Sequence, residues 1–207
     1  MLWKLDLKAI TSYLLKSLNL VLNKHIIPIH WTKVRQFPIY KSGDPKEPTN
    51  YRFISILNSS FKIFTAILNS RLMKWIETNG KLQDEQYAFR PKRGTDEPIF
   101  ILNMLAQKQL NKKAELHCAF LDLTKAFDSI NHELLWSKLY NRGISTNFIE
   151  LMSKIYKELW IQYDELTPIK IERGVLQGDC LSPTLFNLFL SDLTLPPDWG
   201  IPLQGIQ

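Results

Sequence analysis

The stretch that most constrains this chain is Leu116-His-Cys-Ala-Phe-Leu-Asp-Leu-Thr-Lys-Ala-Phe-Asp-Ser-Ile130. Its apolar run from His117 to Leu121 has the length of one buried strand. The run ends on Asp122, and a helical pattern opens at Asn131-His132-Glu133-Leu134. A carboxylate at the end of a buried strand is costly without a partner. Asp122 is therefore expected at the open edge of a sheet, where a cation or hydrogen-bond donors can meet it. The plainer alternative is a capped turn in which Asp128 or Asn131 satisfies backbone N–H groups.

A second segment weighs against that plain reading. Arg173-Gly-Val-Leu-Gln-Gly-Asp-Cys-Leu-Ser-Pro-Thr-Leu-Phe-Asn-Leu-Phe-Leu190 brackets Gln177 with Gly174 and Gly178, so its backbone can approach a ligand closely. Ser182-Pro183 reads as an N-cap followed by an N1 proline, and the helix beyond is apolar on most sides, hence buried. Such a loop presents Gln177 and the Gly178 N–H beside the end of the Asp122 strand. Glycines of purely structural use are the competing reading.

The rest of the chain alternates helices and strands. Trp3, Leu7, Ile10, Leu14, Leu18 and Val21 make one face of a helix ending near Asn23. Pro28 makes Ile26–Trp31 an extended connector. Arg35–Tyr40 and Tyr51–Leu57 are strand-like and flank the turn signal Ser42-Gly43-Asp44-Pro45. That loop is long for a tight hairpin, so a mobile tip is expected. Lys41 before the turn and Arg52 after it can fold over a triphosphate, Arg by its fork and Lys as a point charge. A solvated, charged hairpin loop is the alternative.

Ser59 or Ser60 caps a helix striped by Phe61, Phe64, Leu68, Leu72 and Trp75 and closed by Gly80. Gln86–Gly94 interleaves aromatics with Arg90, Lys92 and Arg93, as a loop that stacks bases and pairs phosphates would, or as a plain basic loop. Thr95 starts another helix. Two more are expected over His132–Asn141 and Phe148–Trp160, the second opened by a capping box of Asn147 and Glu150. Ile161–Ile171 reads as a hairpin.

Charge divides the chain in two. Residues 1–113 carry 19 Lys/Arg against 8 Asp/Glu, whereas residues 114–207 carry 7 against 12. A basic half joined to an acidic half suits a protein that grips a polyanion with one part and holds metal cations with the other. At 207 residues and 45% hydrophobic the chain is long and apolar enough for a real core, as one domain or two sub-lobes. Two cysteines without a C-x-x-C argue against a zinc site or a disulfide scaffold and for a reducing, intracellular setting. Lys4, Lys8 and Lys16 break up the N-terminus, so neither a signal peptide nor a membrane span is expected.

Phe120-Leu-Asp-Leu-Thr-Lys-Ala-Phe-Asp128 and Gly174-Val-Leu-Gln-Gly-Asp-Cys-Leu-Ser-Pro-Thr-Leu-Phe186 resemble motifs A and B of reverse transcriptases, above all those of non-LTR (LINE-type) retrotransposons. Pro38-Ile-Tyr-Lys-Ser-Gly-Asp44, Tyr51-Arg-Phe-Ile-Ser55 and Gln86-Tyr-Ala-Phe-Arg90 resemble that class's fingers motifs, in order, and Pro28-Ile-His-Trp31 its lead-in. The likeness covers about residues 14–206.

The resemblance implies an α+β fold: right-hand polymerase fingers plus a partial palm, a small antiparallel sheet packed on helices, with no thumb. Residues 1–34 would form the N-terminal helix and lead-in, 35–113 the fingers and 114–207 an incomplete palm. The implied chemistry is RNA-directed DNA polymerisation: a primer 3′-hydroxyl attacks the α-phosphate of a dNTP with the help of two magnesium ions. Asp122 would ligate the metal, aided by the Leu123 carbonyl. Lys125 and Ala126 would offer backbone N–H groups to the triphosphate, and Phe127 would lie under the sugar and exclude a 2′-hydroxyl. Gln177 and Gly178 would position the nucleotide, Lys41 and Arg52 would close over its phosphates, and Arg90 would track the template. RNA template and DNA primer are the implied partners, and the nucleus is a location compatible with the family.

There are departures. Phe53 stands where Arg-Pro-Ile-Ser has Pro, and Ala88 where Gln-x-Gly-Phe-Arg has Gly. If position 88 needs a left-handed backbone, Ala costs about 1–2 kcal/mol. The third palm motif, with its Asp-Asp pair, appears nowhere in the sequence. The chain is therefore expected to be incomplete and inactive by itself, with an open palm edge and an uncovered apolar helix, Thr184–Leu193, that invite aggregation or another chain. A non-catalytic nucleic-acid-binding relic and a structural pseudo-enzyme are the alternative readings.

Overall fold

Residues 7–162 and 167–193 are described by the computed structural model. Four strands, β1 (Lys33–Tyr40), β2 (Tyr51–Ile56), β3 (Trp160–Ile161) and β4 (Ile169–Lys170), form one sheet in the order β2-β1-β3-β4. The described residues also form six α-helices: α1 (Leu7–Lys24), α2 (Ser59–Thr78), α3 (Asp96–Asn111), α4 (His132–Asn141), α5 (Thr146–Lys157) and α6 (Ser182–Leu190). The α+β class holds, but the sheet is mixed and not antiparallel throughout. β1 pairs antiparallel with β2 and parallel with β3. A parallel neighbour needs a long crossover, and everything between β2 and α5 supplies it.

Local chemistry explains most of the elements and several departures from expectation. Trp31 is buried, its ring 5.2 Å from that of Phe64, and its Nε1 donates to Ser60 Oγ at 2.7 Å. A one-turn 3-10 helix, Ile29–Trp31, delivers it, so only the Pro28 end of the connector is extended. Asn58, not Ser59 or Ser60, caps α2, its side chain accepting from the Ser60 N–H. The stripe Phe61, Phe64, Leu68 and Leu72 is buried as the spacing requires. α5 starts at Thr146, and the expected capping box is absent, because Asn147 Oδ1 accepts instead from His25 Nε2 at 3.0 Å. α6 begins at Ser182 without any side-chain cap.

The tip of the β1–β2 hairpin is tied by its own side chains. Tyr40 Oη donates to the Gly43 carbonyl at 2.6 Å and Tyr51 Oη to that of Pro45 at 2.8 Å. Asn50 Nδ2 adds a bond to the Asp44 carbonyl. These bonds fold the loop back on itself through side chains at both of its ends.

The largest correction concerns the leading segment. Residues 114–123 form no strand; Phe120 is 83% and Leu121 78% exposed. A strand exists only where a neighbour takes its N–H and C=O groups, and no described residue pairs with this run. The apolar helix α6 is likewise not the uncovered element: Leu185 and Leu188 are fully buried against the core that α4 and α5 share. Helix α3, by contrast, buries no residue and shows Ile99, Phe100 and Leu110 to solvent. Trp3, Asp198 and Leu203-Gln-Gly-Ile-Gln207 lie outside the described residues. Among the described residues no helix is long and apolar enough to cross a membrane.

Candidate active site

Two segments far apart in the chain meet through their main chains. Residues 124–129 form a tight turn in which the Lys125 carbonyl accepts from the Asp128 and Ser129 N–H groups, with Lys125 itself at φ 50°. The Phe127 carbonyl then accepts from the Val175 N–H at 2.9 Å, and the Ile130 carbonyl from the Gly174 N–H at 2.8 Å. Gly174 has φ 86°, and a Cβ there would stand 2.9 Å from the Asp128 Cα, so the approach is open only to glycine. His132 Nε2 lies 2.7 Å from the Gly174 carbonyl and donates to it; burial of the ring holds its pKa below the ordinary value.

The far end of the same loop is bonded to the hairpin. The Ser55 N–H donates to the Gln177 carbonyl at 2.6 Å, and Gly178, at φ 119°, would put a Cβ 2.7 Å from the Ser55 carbonyl oxygen. Arg52 lies on the same strand, paired across the hairpin with Ile39, and Lys41 follows β1 with its N–H donating to the Asn50 carbonyl; both side chains are exposed. The two glycines thus hold one loop against the 127–130 backbone at one end and hairpin backbone at the other.

Between them is a cleft of about 370 Å³, lined by Gln36, Phe53, Asp128, Glu172, Arg173 and Gln177 among others. Asp122 and Leu123 do not line it; both lie in the exposed coil before the turn. Ala126 is half-buried within the turn. The Phe127 ring stacks on Phe186 of α6, centroids 4.8 Å apart and planes at 13°, and meets Phe89 edge-on at 6.4 Å.

Arg90 is committed inside the protein. Its guanidinium pairs with both Glu77 carboxylate oxygens at 3.0 and 2.8 Å and donates to the Gln83 and Gln86 carbonyls. Only 7% of the side chain is exposed. The pair holds Glu77 below the usual carboxylate range, the Arg90 hydrogen bond being the main cause.

Two buried polar groups escaped the sequence reading. Asp179 is 5% exposed and accepts from Thr65 Oγ1 at 2.5 Å, which ties the loop to α2. Burial pushes its carboxyl above the ordinary range. Asn187 accepts from Gln86 Nε2 at 3.0 Å and donates to the Ala88 carbonyl at 2.8 Å, fastening the 86–94 loop to α6. A lone Asn inside an otherwise apolar helix was the available signal.

Residues 39–197 match the sequence profile described as reverse transcriptase (RNA-dependent DNA polymerase). The chain belongs to the reverse transcriptase family. It is 31% identical over 172 residues to a retrovirus-related Pol polyprotein from a type-1 retrotransposable element of Popillia japonica, covering 81% of this chain and 24% of that one. It is 28% identical over 191 residues to the probable RNA-directed DNA polymerase from transposon BS of Drosophila melanogaster, covering 89% and 21%. It is 29% identical over 179 residues to the RNA-directed DNA polymerase from mobile element jockey of the same species, covering 84% and 20%. This reverse transcriptase chain therefore spans about a fifth to a quarter of the length of these relatives. Its Ala88 departure carries no left-handed penalty, because the positive φ falls on the next residue, Phe89, at 58°.

Proposed function

We propose that this chain is the nucleotide-selecting part of an RNA-directed DNA polymerase of a non-LTR retrotransposon, comprising fingers and part of a palm. The observation that carries the reading is the double fastening of the 174–178 loop, to Phe127 through Val175 and to β2 through Gln177. It gives the ring, the amide and the Arg52 strand one rigid frame, as selection of a nucleotide requires. Phe127 acts as the sugar gate, backed by Phe186. Gln177 and the Gly178 N–H position the nucleotide, Lys41 and Arg52 meet its phosphates, and the Lys125 and Ala126 N–H groups serve the triphosphate. Arg90 serves the template indirectly, by bracing the loop that carries Phe89 and Arg93.

Magnesium fits only in part. Asp122 and the Leu123 carbonyl are one carboxylate and one neutral oxygen, enough for an ion that brings most of its ligands on a triphosphate. Among the described residues no three His, Cys, Asp or Glu side chains gather as a metal cage, and no Asp-Asp pair occurs in the sequence. When bound, magnesium neutralises charge on the phosphates under attack. Among the described residues no donor set gathers for the second, primer-side ion.

The deciding experiment is primer extension on an RNA template with the purified chain, beside Asp122→Ala. No extension by either is expected. Extension by the parent that the variant abolishes would show that carboxylates from another chain or from Asp179, Asp192 or Asp198 complete the site. The exposed position of Asp122, off the cleft, favours one second reading: a nucleic-acid-binding protein that does not catalyse. Binding of a labelled RNA–DNA hybrid without measurable affinity for dNTP and magnesium would favour it.

A further inference from the structure

Residues 115–124 make no main-chain hydrogen bond with any described residue, through either their N–H or their C=O groups. All of them are exposed except Leu116, and Phe120, Leu121 and Leu123 are 83%, 78% and 51% so. The chain here is extended enough for side chains two apart to meet: His117 Nε2 stands 3.3 Å from Glu115 Oε2. Residues 116–123 include neither Gly nor Pro, and laid out straight they span about 27 Å. A row of main-chain donors and acceptors like this is what another strand pairs with.

Helix α3 leads straight into the run, the Ala114 N–H donating to the Gln109 carbonyl at 3.0 Å. A two-stranded ladder alone is marginal in water, so a partner must also bring apolar surface to cover residues such as Leu110 of α3. Charge says which partner. When the run pairs antiparallel with itself, centred on Phe120, opposite residues share a face. Phe120 then faces Phe120 of the second copy, and Leu121 faces the second copy's Ala119. Glu115 comes opposite Lys125 at both ends of the ladder, and Asp122 opposite Cys118. Lys125 is exposed there, at the head of the 124–129 turn. A parallel in-register pairing instead sets Asp122 on Asp122 and Glu115 on Glu115, which is destabilising. Moving the centre by one residue either way sets Lys125 against Lys113 or against His117.

We propose that residues 116–123 are a self-association surface, pairing antiparallel about Phe120 with a second copy of this chain. The contact is isologous: one two-fold axis uses the same edge of both copies and closes the assembly. A foreign strand without the spacing of Glu115 and Lys125 would gain the main-chain bonds but not the ion pairs at the two ends. The inference goes beyond the polymerase reading and needs none of it, because it rests on unpaired main chain and not on the nucleotide site.

The test is analytical sedimentation of the intact chain from about 1 to about 100 µM, where a reversible monomer–dimer equilibrium is expected. Ala119→Pro removes a ladder N–H from each copy and no main-chain bond to a described residue. It should weaken dimerisation at least about tenfold, while melting, read where both proteins are monomeric, stays parental. Phe120→Glu sets two like charges across the two-fold, should weaken the dimer in the same way, and keeps the test open if Ala119→Pro fails to fold. The register is read by crosslinking with diamide, which takes two electrons and two protons from each pair of thiols. In a Cys180→Ser background, Asp122→Cys should link to Cys118 of the second copy, whereas Cys118 alone should not link. A parent that stays monomeric to about 100 µM would overturn the proposal. So would assemblies larger than a dimer, parent-like dimerisation by a folded Ala119→Pro, or equal linking by Cys118 alone, which marks parallel or random contact. Failure of primer extension or of nucleotide binding moves none of these readouts.

Discussion

The Ser55 N–H donates to the Gln177 carbonyl at 2.6 Å and so bonds the loop after Gly174 to the free edge of β2. The contact is main chain to main chain, and what permits it is a missing side chain. Gly178 lets the loop pass with its α-carbon against the Ser55 carbonyl, a position any Cβ would contest at 2.7 Å.

Gly178→Ala is expected to lose at least about 1–2 kcal/mol, from the left-handed backbone alone, and more from the clash. Gly143→Ala is the comparison, because Gly143 has φ 83° but nothing within 4 Å of its would-be Cβ. Urea unfolding of the two variants separates strain from collision. Equal losses would mean that the Ser55 approach relaxes at no expense.

Arg90→Ala should destabilise the chain by about 1–2 kcal/mol, through loss of the Glu77 pair and of two bonds to main-chain carbonyls. Proteolysis within the 86–94 loop should quicken in parallel. Were Arg90 instead a template contact, the variant would keep its stability and lose RNA affinity.

Phe127→Val, made in a longer chain competent to polymerise, should raise ribonucleotide incorporation relative to deoxyribonucleotide. Phe186→Ala removes the ring stacked 4.8 Å from Phe127 and should move selectivity the same way by a smaller factor. Competing dNTP and rNTP incorporation measures both, and unchanged ratios would place the gate elsewhere.

His132 supplies a pH dependence. Its folded pKa is lowered from 6.5, chiefly by burial, so the unfolded chain binds a proton that the folded chain resists. Its contribution is fully present above pH 6.5 and is lost as pH falls from there through the folded value. Asp179 works in the opposite sense: its raised pKa means that protonation in the folded state relieves a buried charge as pH falls. His132→Gln, which keeps a donor for Gly174, isolates the first effect. The loss of thermal stability between about pH 7.5 and about pH 5.5 should be smaller in the variant than in the parent.

Periodicity and turn chemistry, both local, made the hairpin, the helix stripes and the two motif segments legible in the sequence. A Phe61–Phe64–Leu68–Leu72 stripe buries itself whatever it packs on, and glycines flanking Gln177 announce a close backbone approach. The choice of cap was less legible, because Asn58, Ser59 and Ser60 can all cap and only the path of the chain chooses among them. Arg90 read as a template contact, since a cation between aromatics looks the same whether it faces solvent or a carboxylate thirteen residues back.

What the sequence by itself determined is family and inventory: five ordered motifs, a basic half before an acidic one, and no Asp-Asp pair. The tertiary structure alone decided which of those residues meet. The apolar run His117–Leu121 carries strand propensity, yet a strand is a relation between two segments, and with no described partner to take its hydrogen bonds it remains exposed coil beside Asp122. The order of the sheet was illegible for the same reason. No spacing along the chain puts Lys33 beside Trp160; only the parallel pairing of β1 with β3 does.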